Sequence, residues 1–391
     1  NFKAKLILKK FMNIGKNKVN LSGKRPTWAE INLEALRFNL NSITSHLPAG
    51  VKMMAVVKAD AYGHGVEQIA RCLQATGTED FGVAIAEEGV RLREEGVKGN
   101  ILVFGGCYPG QEDLFFTYSL VPAVYELSSL KALSDLSEIK GIQFPYHLKI
   151  DTGMGRLGIG PDDIGLFLEK AKSYKRMKLK GVFSHLSSAD EADLTYTRKQ
   201  VSMFEKVLDE SEVLNNGNVV RHVANSAGAL LHKGSWFDMV RAGLSLYGIN
   251  PGNVKTPVAL QPVMSFKTRV GFIKMVSANT VLGYNRTFKT KKSSIIATLP
   301  VGYADGLNRL LSNKGQVIIN GNYAPIVGTV AMDSILIDIT EVPAVKLGDE
   351  VVLIGEQGNL KISAWDVAKW SSTIPYEVLC GITARVPRFY S

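Results

Sequence analysis

The residues that could do chemistry in this chain sit at the ends of apolar runs. In VKMMAVVKADAYGHG, residues 51–65, an apolar run stops at Lys58 and passes into a polar, glycine-bearing stretch with Tyr62 four residues on. An amine among apolar neighbours loses proton affinity through desolvation, and its neutral form is a nucleophile of the Schiff-base type. A second reading is equally open, in which the Lys58 stem runs along apolar surface and delivers its charge to water. Tyr62 either hydrogen-bonds an anion at the same place or simply packs. In YHLKIDTGMGRLGIG, residues 146–160, Lys149 and Arg156 flank Asp151, and Gly153, Gly155 and Gly158 permit close backbone approach to a ligand. Arg156 suits an oxygen acceptor, and Asp151 is placed to orient it. The glycine spacing lacks the later acid that a dinucleotide fingerprint requires.

Further along, GVFSHLSSADE places His185 just past an apolar run, and RHVANSAGAL places Asn225 and Ser226 similarly. Ser226 opens a candidate helix whose free N–H groups suit a phosphate. His185 reads equally well as a satisfied core histidine. It could join His222 on zinc only with a third ligand, and no close-spaced cluster supplies one. FDMVRAGLSLYG puts Arg241 at a run's end with Gly243 next but one. The later motifs SANTVLGYNRTF, LPVGYADGLNR, GTVAMDS and TIPYEVL carry Tyr284, Tyr303, Met332 with Asp333, and Tyr376. They read either as caps over a site or as ordinary hairpin punctuation.

The elements that must position these residues follow from the runs themselves, at 51–57, 81–86, 101–104, 121–124, 146–150, 179–184, 219–223 and 239–242. Their starts lie about 19 to 40 residues apart, the length a strand, a crossover helix and two loops need. Several are continuously apolar, as strands buried on both faces are. Eight such units predict an α/β fold of the (β/α)8, TIM-type barrel class, with a doubly wound open sheet as the competitor. In a barrel the carboxyl ends of the strands carry the chemistry. Lys58, Arg156, His185, Ser226 and Arg241 then converge on one rim, and strand eight sets Arg241 beside Lys58. Such a rim suits a phosphate-bearing ligand. After residue 253 the pattern turns alternating and β-branched between Gly, Asn and Asp turns, which predicts a β-rich domain with a short helical insert near 362–369. The division expected is a basic extension at 1–25, the barrel at 26–255 and a mainly β C-terminal domain at 256–391.

Composition narrows the class. The chain has 391 residues, 46% of them hydrophobic, with 37 Gly and three Cys, which excludes a disordered tail, a coiled coil and a disulfide-stapled mini-domain. Of the net charge of +10, eight units come from Lys3, Lys5, Lys9, Lys10, Lys16, Lys18, Lys24 and Arg25; the remainder carries +2. A nearly neutral body argues against a nucleic-acid partner. No run of 18 apolar residues is present, so no membrane span is expected. Cys72, Cys107 and Cys380 are far apart and read as reduced thiols of a cytoplasmic protein.

The ordered set AVVKADAYGHG, LKIDTGMGRLG, HLSSADE, ANSAGAL, VRAGLSLYG, GYADG, MDS and YEVLCGITARVPR resembles the alanine racemases, pyridoxal 5′-phosphate enzymes of fold-type III, over about residues 26–391. The resemblance implies an isomerase that interconverts L- and D-alanine and so supplies D-alanine for peptidoglycan. It implies that Lys58 bonds to the cofactor and returns as one acid/base group, with Tyr284 as the second on the opposite face. Tyrosine's ordinary pKa of about 10 would need help from nearby cations. It also implies a head-to-tail homodimer with active sites shared between subunits, Tyr284, Tyr303, Met332 and Asp333 coming from the other chain. Arg241 would face the pyridine nitrogen, where a guanidinium with a pKa above about 12 does not give up its proton. Tyr62, Ser226, Tyr376 and the Gly243–Leu244 backbone would hold the phosphate near Asn225. Arg156 and His185 would flank the ring, Arg156 also meeting substrate, and Lys149 matches a lysine carbamylated in some members. Two departures, Asn285 after the tyrosine and Ala331 before the Met-Asp pair, leave a serine or broader small-amino-acid racemase as the alternative. A mainly apolar wall rejects one added hydroxyl by only about two orders of magnitude. A non-catalytic carrier of the cofactor is a third reading, against which the whole β-rich domain counts.

Overall fold

A computed structural model describes residues 25–252 and 256–391. Apart from Arg25, the basic extension lies outside the described residues. The described chain enters through β1 (Thr27–Ile31) and helix α1 (Leu33–His46). Asn32 starts the helix by accepting the Ala35 amide at 2.9 Å, and Leu36, Leu40 and Ile43, spaced four and three apart, turn one stripe into the core.

Eight strands then form one parallel sheet: β2 (Lys52–Val56), β3 (Asp80–Val83), β4 (Asn100–Val103), β5 (Val121–Val124), β6 (Phe144–Lys149), β7 (Met177–Phe183), β8 (Val220–His222) and β9 (Met239–Ala242). They fall on the eight apolar runs of the sequence. Neighbours pair in chain order from β2 to β8, and β9 returns to β2 with Met54 opposite Arg241. The ring closes between β8 and β9 through two backbone bonds of 3.0 Å, Asp238 to Arg221 and Arg241 to Ala224, and through the Arg221–Asp238 ion pair at 2.7 Å. Met54, Leu102, Val121, Ala123, Phe183 and Met239 fill the interior, so the barrel is a packed core and not a pore.

The second half is a largely antiparallel sheet that begins with β10 (Met264–Arg269) and includes Glu350–Gln357, Gln316–Ile319 and Asn322–Val327. Ile31, Phe266, Ile318, Val351 and Val352 are among its buried residues. One correction to the sequence reading concerns β1. It pairs with β10, Thr27 opposite Thr268, and in parallel with the closing strand Arg388–Tyr390, so it belongs to the β-rich sheet and not to the barrel. The helical insert is Ala364–Trp370, and a second short helix, Pro375–Cys380, follows it. Asn39 of α1 ties the halves together, donating to Leu246 O and Gln261 O at 3.0 and 2.7 Å and accepting from Gln261 N at 2.7 Å. No helix among the described residues is long and apolar enough to cross a membrane.

Arg25 anchors the entry strand. It grips the fully buried Asp305 with two bonds of 2.5 and 2.8 Å and reaches Pro300 O at 2.9 Å. Arg25→Met leaves a buried carboxylate with the Gly302 amide at 2.9 Å and, as its remaining cation, the more distant Arg385 at 3.6 Å. The substitution is expected to cost about 3 kcal/mol in chemical denaturation, as loss of one partner of a buried pair does.

Candidate active site

At the carboxyl end of the barrel, β2 runs out at Val56 and the next turn begins at Lys58. Ala59, Asp60, Ala61 and Tyr62 all have φ between 53° and 55°, a left-handed turn built without glycine. Each such residue costs about 1–2 kcal/mol, so neighbours must hold the turn in place. Glu88 accepts the Ala59 amide at 2.6 Å and the Ala84 amide at 2.7 Å, and Asp60 accepts the Val66 amide at 2.9 Å. The result aims Lys58 and Tyr62 at one cavity.

That cavity measures ≈ 130 Å³, and its walls include Lys58, Lys149, Arg156 and Arg241, together with Tyr62, His185, Asn225, Ser226, Gly243, Leu244 and Tyr376. Among the described residues, four basic side chains line it and no carboxylate does. An electrostatic arrangement of that kind is complementary to an anion. It also works on the bases themselves. Lys58 is pushed below the usual lysine range by burial, then by Arg156 and Arg241, despite the opposing effects of Glu88 and Cys380. Lys149, only 6% exposed, is pushed down to about 7 by burial, Arg241 and Arg156, and its ammonium lies 4.5 Å above the Phe183 ring. His185 falls well below its ordinary range through burial and Arg241, and is neutral.

Arg241, 3% exposed, is fixed by five bonds from its two terminal nitrogens. They reach His222 Nδ1 and O at 2.9 Å, Ser184 O at 2.7 Å, Val223 O at 3.1 Å and His185 Nδ1 at 3.2 Å. A guanidinium cannot accept, so His222 Nδ1 must, leaving the His222 proton on Nε2 to be donated to His147 Nδ1 at 2.9 Å. Burial lowers Arg241 to about 9, which leaves it charged at neutral pH.

On the opposite side, the Ser226 hydroxyl gathers Gly243 N at 2.9 Å, Ser245 N at 3.3 Å and Ser245 Oγ at 3.1 Å. A side chain at Gly243 would place its first carbon 2.4 Å from the Tyr62 hydroxyl, so the glycine keeps this cradle open. A pyridoxal phosphate fits the donor set. Tyr62, Ser226 and Tyr376 offer hydroxyls to a phosphate, the buried guanidinium of Arg241 suits a pyridine nitrogen, and Lys58 supplies an amine of lowered proton affinity.

One sequence expectation is corrected. Asp151 does not orient Arg156; its Oδ1 accepts the Gly153 and Gly155 amides at 2.9 and 3.1 Å and shapes its own loop. Asn225 lines the cavity and is fixed there by accepting Gly228 N at 3.0 Å and donating to Leu186 O at 3.1 Å. Tyr284, Tyr303, Met332 and Asp333 do not line the cavity of their own chain. Tyr284 is 70% and Met332 51% exposed, and Asp333 pairs with Arg385 at 2.7 Å. Phe104, Phe183 and His147 went unread in the sequence. Phe183 stacks on His222 at 4.9 Å and sits under Lys149, but an apolar ring in a core strand carries no chemical signature.

Two sequence profiles match the chain, one described as the alanine racemase N-terminal domain at residues 31–251 and one as the alanine racemase C-terminal domain at 263–390. The alanine racemase of Halothermothrix orenii is 47% identical over 94% of this chain and 97% of its own. That of Symbiobacterium thermophilum is 42% identical over 95% and 99%. Among solved structures, the Clostridium difficile 630 alanine racemase superposes with a TM-score of 0.88 at 35% identity, covering 94% of this chain and 96% of that one. The Bartonella henselae alanine racemase, solved with covalently bound pyridoxal phosphate, gives 0.85 at 32% identity, covering 94% and 99%.

The lowered Lys149 has a consequence for stability. Unfolded, it keeps its proton up to about pH 10.5; folded, only to about 7. Between those values the unfolded chain binds more protons, so the penalty is full below pH 7 and is relieved as pH rises through the window. Thermal melts of cofactor-free protein between pH 7 and 10 are expected to show a rise in Tm that Lys149→Met flattens.

Proposed function

The chain belongs to the alanine racemase family, and from that premise we propose how its residues divide the work. The family's reaction, interconversion of L- and D-alanine with pyridoxal 5′-phosphate, is the activity of this protein. The observation that carries the residue assignment is the ring of bases, Lys58, Lys149, Arg156 and Arg241, that lines one cavity with no carboxylate among the described residues there.

Bound there, the cofactor supplies an electron sink that acidifies the α C–H bond of an amino acid joined to it. Lys58 would hold it through its amine and would hold or deliver the substrate's α-proton on one face. Arg241 would face the ring nitrogen and, by keeping its own proton, would limit side reactions. Ser226, Tyr62 and Tyr376 would hold the phosphate, with Gly243 and Leu244 lining the cavity beside them. Neutral His185 would flank the ring. Arg156 meets the substrate carboxylate, and a carbamate on Lys149 would turn a repelling cation into its counter-charge; the neutral amine that carbamylation needs is available near pH 7.

Racemisation requires a second acid/base group on the other face. Tyr284 is assigned that role, delivered by a second copy of the chain in a homodimer. Its exposure, with that of Tyr303 and Met332, supports a surface made to cover a neighbour's cavity. Asp333, held by Arg385, would stand at the same entrance.

Tyr284→Phe is expected to slow α-proton exchange of one alanine enantiomer by about 10²–10⁴-fold while sparing the other, followed by deuterium wash-in for each. Equal losses for both enantiomers, or none, would overturn the two-base assignment. Mixing Tyr284→Phe with Lys58→Ala protein is expected to recover activity through mixed dimers that contain one intact site. Failure to recover any would speak against sharing.

A further inference from the structure

Neither the cofactor chemistry nor the phosphate cradle accounts for the closing strand. Arg388 lies outside the cavity, yet its guanidinium makes five hydrogen bonds, one for each N–H it owns. Nε and Nη2 donate to Gly63 O at 3.2 and 3.0 Å, Nη2 also to Ile382 O at 2.6 Å, and Nη1 to Thr383 O and Val386 O at 2.6 and 2.7 Å. Every acceptor is a backbone carbonyl, and no carboxylate of the described residues forms an ion pair with it within 4.0 Å. Two residues on, the Tyr390 hydroxyl donates to His64 O at 3.1 Å.

These carbonyls belong to two segments. Gly63 and His64 end the left-handed turn that carries Lys58 and Tyr62. Ile382, Thr383 and Val386 follow the helix Pro375–Cys380, which carries Tyr376. The two segments touch where Gly63 has φ 79°: a side chain there would begin 2.3 Å from Leu379 O. One rigid plane is therefore shared by the strained turn that presents the amine and the helix that presents a phosphate ligand.

Resting on the reading that Lys58 holds the cofactor, we propose that Arg388 is a positioning residue, which braces the left-handed turn against the Tyr376 helix and so fixes where the Lys58 amine stands relative to the phosphate anchor. The planar five-donor fork is the essential property. A lysine retains the charge but has three donors converging on one nitrogen and cannot span both segments.

Arg388→Lys tests this by hydrogen-exchange mass spectrometry on cofactor-free and cofactor-loaded protein, with the rate of cofactor release and the split of kcat and KM for alanine. Exchange over residues 58–65 should rise about tenfold or more while the barrel strands at 100–103 and 121–124 keep their protection. Cofactor release should quicken by about tenfold. With the acid/base groups misplaced but still present, kcat should fall by about 10²-fold and KM change by less than about threefold. Unchanged exchange over 58–65, or an increase spread evenly along the chain, would overturn the proposal. Faster exchange with unaltered cofactor release would uphold the brace and instead overturn the attachment of the cofactor at Lys58. Should Arg388→Lys fail to fold, Tyr390→Phe removes only the hydroxyl on His64 O, and the same peptide must show a smaller rise; no rise there would equally overturn the brace.

Discussion

Four basic side chains face one another at the barrel mouth with no acid among them, and much of the surrounding structure answers that repulsion. Burial first, and then the Arg241 charge, keeps the nearby histidines neutral: His185 and His222 are held well below their usual range, and His147 is pushed down to about 4. Two lysines surrender proton affinity to burial and then to the neighbouring guanidinium groups. Burying like charges costs stability, and an enzyme accepts that cost where a bound anion repays it. The cavity is thus prepared electrostatically for a phosphate and chemically for an attack by Lys58 on a carbonyl carbon.

The scaffold makes this arrangement rigid through contacts far from the chemistry. Parallel strands closed into a barrel bring residues distant in sequence, such as Met54 and Arg241, level with one another. The β-rich sheet reaches back to the barrel through both of its sequence extremes. Strand β1 enters it from the amino side, and Arg388–Tyr390 lies alongside β1 while holding the turn after Lys58. The domain that presents Tyr284 outward is therefore the same body that steadies the lysine of its own chain.

Much of this was legible in the residues. All eight barrel strands fell on apolar runs, because strands buried on both faces need no alternation to be seen. Lys58, Arg156, His185, Ser226 and Arg241 were legible as one rim, because a barrel sends every strand's carboxyl end to the same face. Strand pairing outside the barrel was not legible: TWAEI reads as a strand wherever it lies, and nothing in it names β10 as its partner. Asp151 looked like an orienting acid for Arg156, but two local amides in a glycine-rich loop outcompeted a side chain five residues on. The roles of His222 and Phe183 depend on a stack at 4.9 Å and a hydrogen-bond relay that only three dimensions reveal.

The central claim is that the amine of Lys58, made nucleophilic by burial and neighbouring cations, carries the cofactor. Borohydride reduction of the holoenzyme, proteolysis and mass spectrometry read this directly. The pyridoxyl mass should appear on the peptide that contains Lys58 and on no other. Its appearance on Lys149 or any other lysine, or full cofactor occupancy with Lys58 unmodified after reduction, would contradict the account.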